Sequence, residues 1–147
     1  VKAEIIEGWW ADTGTDQDLL EANYLLLEDL EPKIEAKIEE NARIIGRVHI
    51  GKNTRIGTNT TIRGPVYIGS NCNIENATIR PFTSIGNNCE IKNTEIENSI
   101  IFGNCKILCK KRIVDSIIGK NSILLNQNES SMNGCKLVIG ENSKIQI

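Results

Sequence analysis

This 147-residue chain has one histidine, His49, and no pair of cysteines at CxxC spacing, so it lacks the ligand sets of a standard zinc site. It also lacks basic excess. Seventeen Lys and Arg against nineteen Asp and Glu give a net charge of −2, and Lys110-Lys111-Arg112 is the only basic run, which reads as a solvated corner. Such a surface excludes nucleic acid as an expected partner. No apolar run approaches the roughly 18 residues that would span a bilayer, and no secretory signal opens the chain. With Val1 rather than Met first, the sequence reads as a cytoplasmic fragment with neither membrane nor nucleic-acid partners.

What it does have is isoleucine, 25 of them. Ile38, Ile44, Ile50, Ile56, Ile62, Ile68 and Ile74 stand six residues apart, and residues two before them are small or β-branched: Ala36, Ala42, Val48, Thr54, Thr60, Val66 and Cys72. A six-residue period would scatter around an α-helix, but it is a multiple of the two-residue strand period and keeps every isoleucine on one side. Repeats of this kind predict a parallel β-helix, in which short strands form the sides of stacked coils. The ladder continues with some five-residue steps through Ile79, Ile85, Ile91, Ile96, Ile101, Ile107, Ile113, Ile118 and Leu124, and resumes at Ile139 and Ile145.

Three sides per coil are indicated by residues outside the ladder. Every third repeat residue gives Ile50, Ile68, Ile85, Ile101, Ile118 and Ile139, and all but Ile101, which precedes Phe102, are followed by glycine. A glycine recurring once per coil marks a corner needing positive φ or close approach of two backbones. Asn53, Asn59, Asn71, Asn88, Asn104, Asn121 and Asn142 each fall three residues before a repeat residue, where the chain must turn, and Asn enters the left-handed region readily. Another side runs Ile38, Ile56, Ile74, Ile91, Ile107, Leu124, Ile145, which predicts about six coils and a prism roughly 29 Å tall. Cys72, Cys89 and Cys105 share the column of Thr54 and Ser122, so they are expected as buried, reduced thiols stacked one per coil. The polar stretch Leu125 to Gly134 exceeds the repeat and is expected to bulge as a loop.

Residues before the repeat read differently. Lys2 to Glu7 suits a short strand, and Thr15 is an expected N-cap with Asp18 at the third helical position. Leu19, Leu20, Asn23, Leu26, Leu27 and Leu30 follow at helical spacing until Pro32 stops the run. This amphipathic helix is expected to pin the first coil.

Trp10-Ala11-Asp12-Thr13-Gly14-Thr15, followed by Asp18-Leu19-Leu20-Glu21-Ala22-Asn23, resembles the end of the catalytic domain of sugar-1-phosphate nucleotidylyltransferases, and most nearly the long-form glucose-1-phosphate thymidylyltransferases. Ile62-Arg63-Gly64-Pro65-Val66-Tyr67-Ile68-Gly69 and Glu97-Asn98-Ser99-Ile100-Ile101 look like the hexapeptide-repeat tails of the same enzymes. The resemblance implies an all-β, left-handed β-helix over 34–147, preceded by the tail end of a catalytic domain and a linker helix in 1–33. Handedness comes from the resemblance alone, since the ordinary crossover rule favours right-handed connections. It further implies a missing N-terminal catalytic domain that joins a sugar 1-phosphate to a nucleoside triphosphate and releases pyrophosphate, with Mg²⁺ held partly by Asp12. Without the nucleotide-binding loop, Asp12 reads here as a polar loop residue before a helix, and the fragment alone is expected to be inactive.

Two other readings stay open. Hexapeptide-repeat β-helices also form acetyl and acyl transferases, in which a histidine serves as general base toward an amino sugar and acetyl-CoA is the donor. Only His49 could act so, and its place before an inward isoleucine points it outward. Alternatively the chain is a purely structural assembly module, pairing with copies of itself as a homo-oligomer, a trimer being a common arrangement of such prisms.

Overall fold

The computed structural model describes residues 15–125 and 137–146. Asp12, the strand expected over Lys2 to Glu7, the thiol of Cys135 and the stretch 126–134 lie outside the described residues.

Three parallel sheets make the three faces of a prism. The first face stacks β1 (Lys33–Ile34), β4 (Val48–Ile50), β7 (Val66–Ile68), β10 (Thr83–Ile85), β13 (Ile100–Ile101), β16 (Ile117–Ile118) and β18 (Val138–Ile139). The second stacks β2 (Lys37–Ile38), β5 (Arg55–Ile56), β8 (Asn73–Glu75), β11 (Glu90–Lys92), β14 (Lys106–Leu108), β17 (Ile123–Leu125) and β19 (Lys144–Gln146). The third stacks β3 (Arg43–Ile45), β6 (Thr61–Arg63), β9 (Thr78–Ile79), β12 (Glu95–Glu97) and β15 (Arg112–Val114). The result is a parallel solenoid of about six turns. Its registers match the isoleucine ladder: Ile56 pairs with Ile74, Ile74 with Ile91, Ile91 with Ile107 and Ile107 with Leu124. Ile56, Ile62, Ile68, Ile74, Ile79, Ile85, Ile91, Ile96 and Ile107 are fully buried, so one continuous apolar column fills the prism.

The corners follow a single rule. Positive φ occurs at Asn53, Asn59, Asn71, Asn76, Phe82, Asn88, Asn93, Asn98, Asn104, Asp115, Asn121 and Asn142, and each stands three residues before a ladder residue. The five-residue steps therefore shorten a coil without losing the left-handed corner residue. Phe82, at φ 66°, is the outlier, because a bulky side chain there costs about 1–2 kcal/mol relative to an ordinary backbone.

The glycine column serves close approach and not positive φ. Among the described glycines only Gly46 has positive φ, whereas a Cβ on Gly86 would lie 2.7 Å from the Gly103 nitrogen in the next coil. At Gly140, in the last described coil of this column, nothing lies within 4 Å of such a Cβ.

The thiol column satisfies the same corner. Thr54 Oγ1 donates to the Gly69 carbonyl at 2.7 Å, Cys72 Sγ to Gly86 at 3.1 Å, Cys89 Sγ to Phe102 at 3.3 Å, Cys105 Sγ to Gly119 at 3.2 Å and Ser122 Oγ to Gly140 at 3.1 Å. Each small interior donor thus serves a carbonyl one coil on, and the exposed Gly140 carbonyl also accepts from Ser143 Oγ at 3.0 Å. Cys72, Cys89, Cys105 and Cys109 are buried and form no disulfide, as expected for structural thiols. Hydrogen bonding with the flanking Cys105 and Cys72 thiols, reinforced by burial, pushes the Cys89 thiol well above the usual range.

Removing one rung tests this packing. Ile91→Ala is expected to destabilise the protein by about 2–5 kcal/mol in chemical denaturation, through the cavity it leaves. Asn71→Gly, which keeps the left-handed corner accessible, is expected to cost far less than Asn71→Val in the same measurement.

Candidate functional site

At the middle of the first face the outward residues are not those of an exposed surface. Lys33, His49, Tyr67, Ser84, Ile100, Ile117 and Val138 form one register column on the outside of the prism. Tyr67, Ser84, Ile100 and Ile117 are all buried, so this sheet is covered on both sides. The cover is helix α1 (Asp16–Glu28), capped at its start by Thr15, whose hydroxyl accepts from the Asp18 N–H at 3.1 Å.

Helix α1 lies along the prism axis. Leu19 and Leu20 pack with Ile100, Phe102 and Ile117, while Leu27 and Leu30 pack with Tyr67. This differs from the expectation that the helix pins the first coil; it clasps the middle and later coils, because the apolar outward residues lie there. The same contact explains why Phe102 interrupts the glycine column, since its side chain belongs to the helix-facing cluster. At the centre, fully buried Asn23 donates from Nδ2 to the Phe82 carbonyl at 3.0 Å and accepts from Ser84 Oγ at 2.5 Å. Tyr24 stacks on Phe82 with ring centroids 4.2 Å apart, which helps to hold that left-handed corner. No basic residue stands in the last helical turn, and Arg47 from the prism supplies the charge instead, donating from Nη1 to the Glu28 carbonyl and, at 3.4 Å, to Leu30.

Where the helix ends, the residues that follow it and the first face enclose an open cleft of about 600 Å³. Asp29, Leu30 and Glu31 form one wall, and Glu35, His49, Lys52, Tyr67, Ser70 and Asn87 form the rest. His49 is outward, as its place in the repeat requires, but half-buried and stacked on Tyr67 with centroids 4.9 Å apart and planes 9° from parallel. The Lys33 ammonium, 2.8 Å from Glu35, holds that carboxyl below its usual range, and Lys52 and His49 act in the same direction. The Ser70 N–H donates to Asn87 Oδ1 at 2.8 Å and fixes the amide at the rim. The volume lies within the range of small-molecule sites, and the mixture of one lysine, a histidine and carboxylates suits a polar ligand.

His49 is therefore the one sequence-predicted site residue within the described part; Asp12 lies outside it. Among the described residues no three His, Cys, Asp or Glu side chains are gathered to hold a metal ion. The carboxylates beside His49 escaped sequence reasoning, because Asp29, Glu31 and Glu35 flank the helix stop at Pro32, where no period applies. No helix among the described residues is long and apolar enough to cross a membrane.

The profile of the GMPPB C-terminal domain matches residues 62–147. Glucose-1-phosphate thymidylyltransferase of Streptomyces antibioticus is 42% identical over the whole chain, and the enzyme of that name from Streptomyces griseus is 33% identical over the same span. The chain spans 41% of the length of each of these relatives. Among solved structures, an AntD N-acyltransferase mutant from Bacillus cereus, in complex with dTDP and coenzyme A, aligns with a TM-score of 0.57 at 17% identity, over 70% of this chain and 71% of that one. At that identity the likeness is one of fold.

The helix–prism interlock has its own test. Asn23→Ala strands the Phe82 carbonyl and Ser84 hydroxyl in a buried setting, and is expected to cost about 1–3 kcal/mol. Hydrogen exchange should show the loss of protection concentrated in α1, with the strands of the second face unchanged.

Proposed function

Since the chain belongs to the family of the GMPPB C-terminal domain, we propose that it is the C-terminal module of a sugar-1-phosphate nucleotidylyltransferase of the glucose-1-phosphate thymidylyltransferase kind. The observation that carries this is the similarity to two enzymes of that name along the entire chain, Trp10 to Asn23 included. In this reading residues 1–33 close the catalytic domain and supply a linker helix, and residues 34–147 form a left-handed β-helix domain. The docking of α1 on the first face supports it, because a helix clamped by Asn23 and a leucine stripe is held firmly to the prism, as a linker helix between two domains would be. Asp12, three residues before that cap, would contribute to Mg²⁺ binding in the full-length enzyme, where the metal neutralises charge on the reacting phosphates. The prism itself serves assembly, as a rigid homo-oligomeric scaffold.

With the residues preceding Val1 restored, the protein is expected to release pyrophosphate from glucose 1-phosphate and dTTP in a Mg²⁺-dependent reaction. Asp12→Asn should lower kcat on the order of 10²-fold. Full activity in Asp12→Asn, or no pyrophosphate with any pairing of sugar 1-phosphate and nucleoside triphosphate, would remove this reading.

A second reading is favoured by one feature, the cleft in which His49 meets carboxylates and Lys52. There the imidazole would deprotonate an acceptor amine, the carboxylates would hold its ammonium form, and Lys52 would meet a phosphate. Acetyl transfer from acetyl-CoA to glucosamine 1-phosphate or galactosamine 1-phosphate is its assay. His49→Ala should then lose roughly 10²–10⁴-fold. Equal rates in wild type and variant, or no transfer in either, exclude His49 as a base.

A further inference from the structure

The first coil of the prism is open. Ile34 and Ile38 point into the column like their ladder partners, yet they are 47% and 36% exposed, whereas Ile50 and Ile56 above them are fully buried. The backbone is open too. Glu35 and Glu39 donate to the carbonyls of Ile50 and Ile56 at 3.0 and 2.9 Å, and Gly51 donates to Ile68 at 2.9 Å, so each inward isoleucine turns its carbonyl toward the preceding coil. Beneath Ile34 and Ile38 the described residues provide no coil. An apolar end with unpaired strand edges is a template for further pairing, and solenoids ordinarily cover such ends.

The sequence of that edge selects what covers it. Lys33-Ile34-Glu35 forms β1 and its flank, and Lys37-Ile38-Glu39 repeats the same order in β2. In-register parallel addition of the same edge would set lysine on lysine and glutamate on glutamate. Antiparallel addition about a two-fold axis sets each lysine opposite a glutamate and each isoleucine opposite an isoleucine. At present the lysines pair within their own strands, Lys33 with Glu35 at 2.8 Å and Lys37 with Glu39 at 4.0 Å, and both lysines are largely solvent-exposed. The start of α1 sits away from this end, at the level of β13 and β16. That is four to five coil intervals away, or about 19–24 Å.

We propose that the first coil is an end-to-end docking surface for a second copy of this chain, formed by antiparallel pairing of the two Lys-Ile-Glu strands. This extends the assembly role proposed above and is independent of the nucleotidylyl chemistry. The end contact doubles whatever unit the prism faces build: a monomer becomes a dimer and a side-by-side trimer becomes a hexamer.

Charge exchange tests it. Light scattering of the wild-type chain, of the double variant Glu35→Lys with Glu39→Lys, and of the double variant Lys33→Glu with Lys37→Glu should give the wild type twice the mass of either variant. Each variant alone should self-associate at least roughly tenfold more weakly, and an equimolar mixture of the two should regain the doubled mass. Equal masses for all three proteins, with no gain on mixing, would overturn the proposal, including the case in which a catalytic domain covers this end in the full-length protein. If either charge variant lost its strand circular dichroism, Ile38→Lys would be compared with Ile38→Val, with halved mass expected only for the lysine. Pyrophosphate release is measured on the full-length protein carrying Ile38→Lys, a residue outside the cleft, so that loss of doubling with activity intact separates this surface from the catalytic reading.

Discussion

Everything in this molecule depends on the vertical alignment of one coil on the next. Parallel strands two or three residues long have too few hydrogen bonds to hold a register by themselves, and the inward isoleucines supply what they lack. A slip by one residue would turn Ile74 or Ile91 outward and bring a polar neighbour into the column. The corner donors Thr54, Cys72, Cys89, Cys105 and Ser122 add a polar constraint of the same spacing, one bond per coil to a carbonyl in the next. Apolar stacking and corner satisfaction thus specify one alignment between them, and the asparagine corners fit the chain to it.

Much of this architecture was legible in the residues, because a solenoid writes its geometry repeatedly. The three faces, the seven levels of the second face and the thiol column follow from spacing alone. The five-residue steps concealed Asn76, Asn93, Asn98 and Asp115, yet these obey the same offset from the ladder as the other corners. The outer covering of the first face was less visible. Its signal is the doublets Ile100-Ile101 and Ile117-Ile118, two consecutive apolar residues where a half-exposed strand would alternate. Tyr67 stands in a run of the same kind, Val66-Tyr67-Ile68, but the run does not say what covers it: its burial depends on Leu27 and Leu30, which lie about forty residues earlier in the chain. Long-range contact of that sort cannot be read from period.

The candidate site divides in the same way. His49 was readable as outward, because its neighbour Ile50 is inward. Its stacking on Tyr67 and its place in a cleft with Glu35 and Lys52 depend on where the helix ends, and Arg47 and Pro32 set that end together. Repeated residues explain the scaffold; chemistry gathers where the repeat meets something that does not share its period.

That meeting of two periods limits how the scaffold could change length. An α-helix advances about 6 Å between Leu19 and Asn23 and again to Leu27, while the coils beneath them rise in steps of about 4.8 Å. The two scales coincide only over the short span in which Leu19 meets Ile100 and Ile117, Asn23 meets Ser84, and Leu27 meets Tyr67. An additional coil inserted within that span would carry Ile100 a full step beyond the reach of Leu19, whereas one added beyond β16 would leave every helix contact in place. The clasp acts as a vernier, and it confines growth of the prism to the levels the helix does not read.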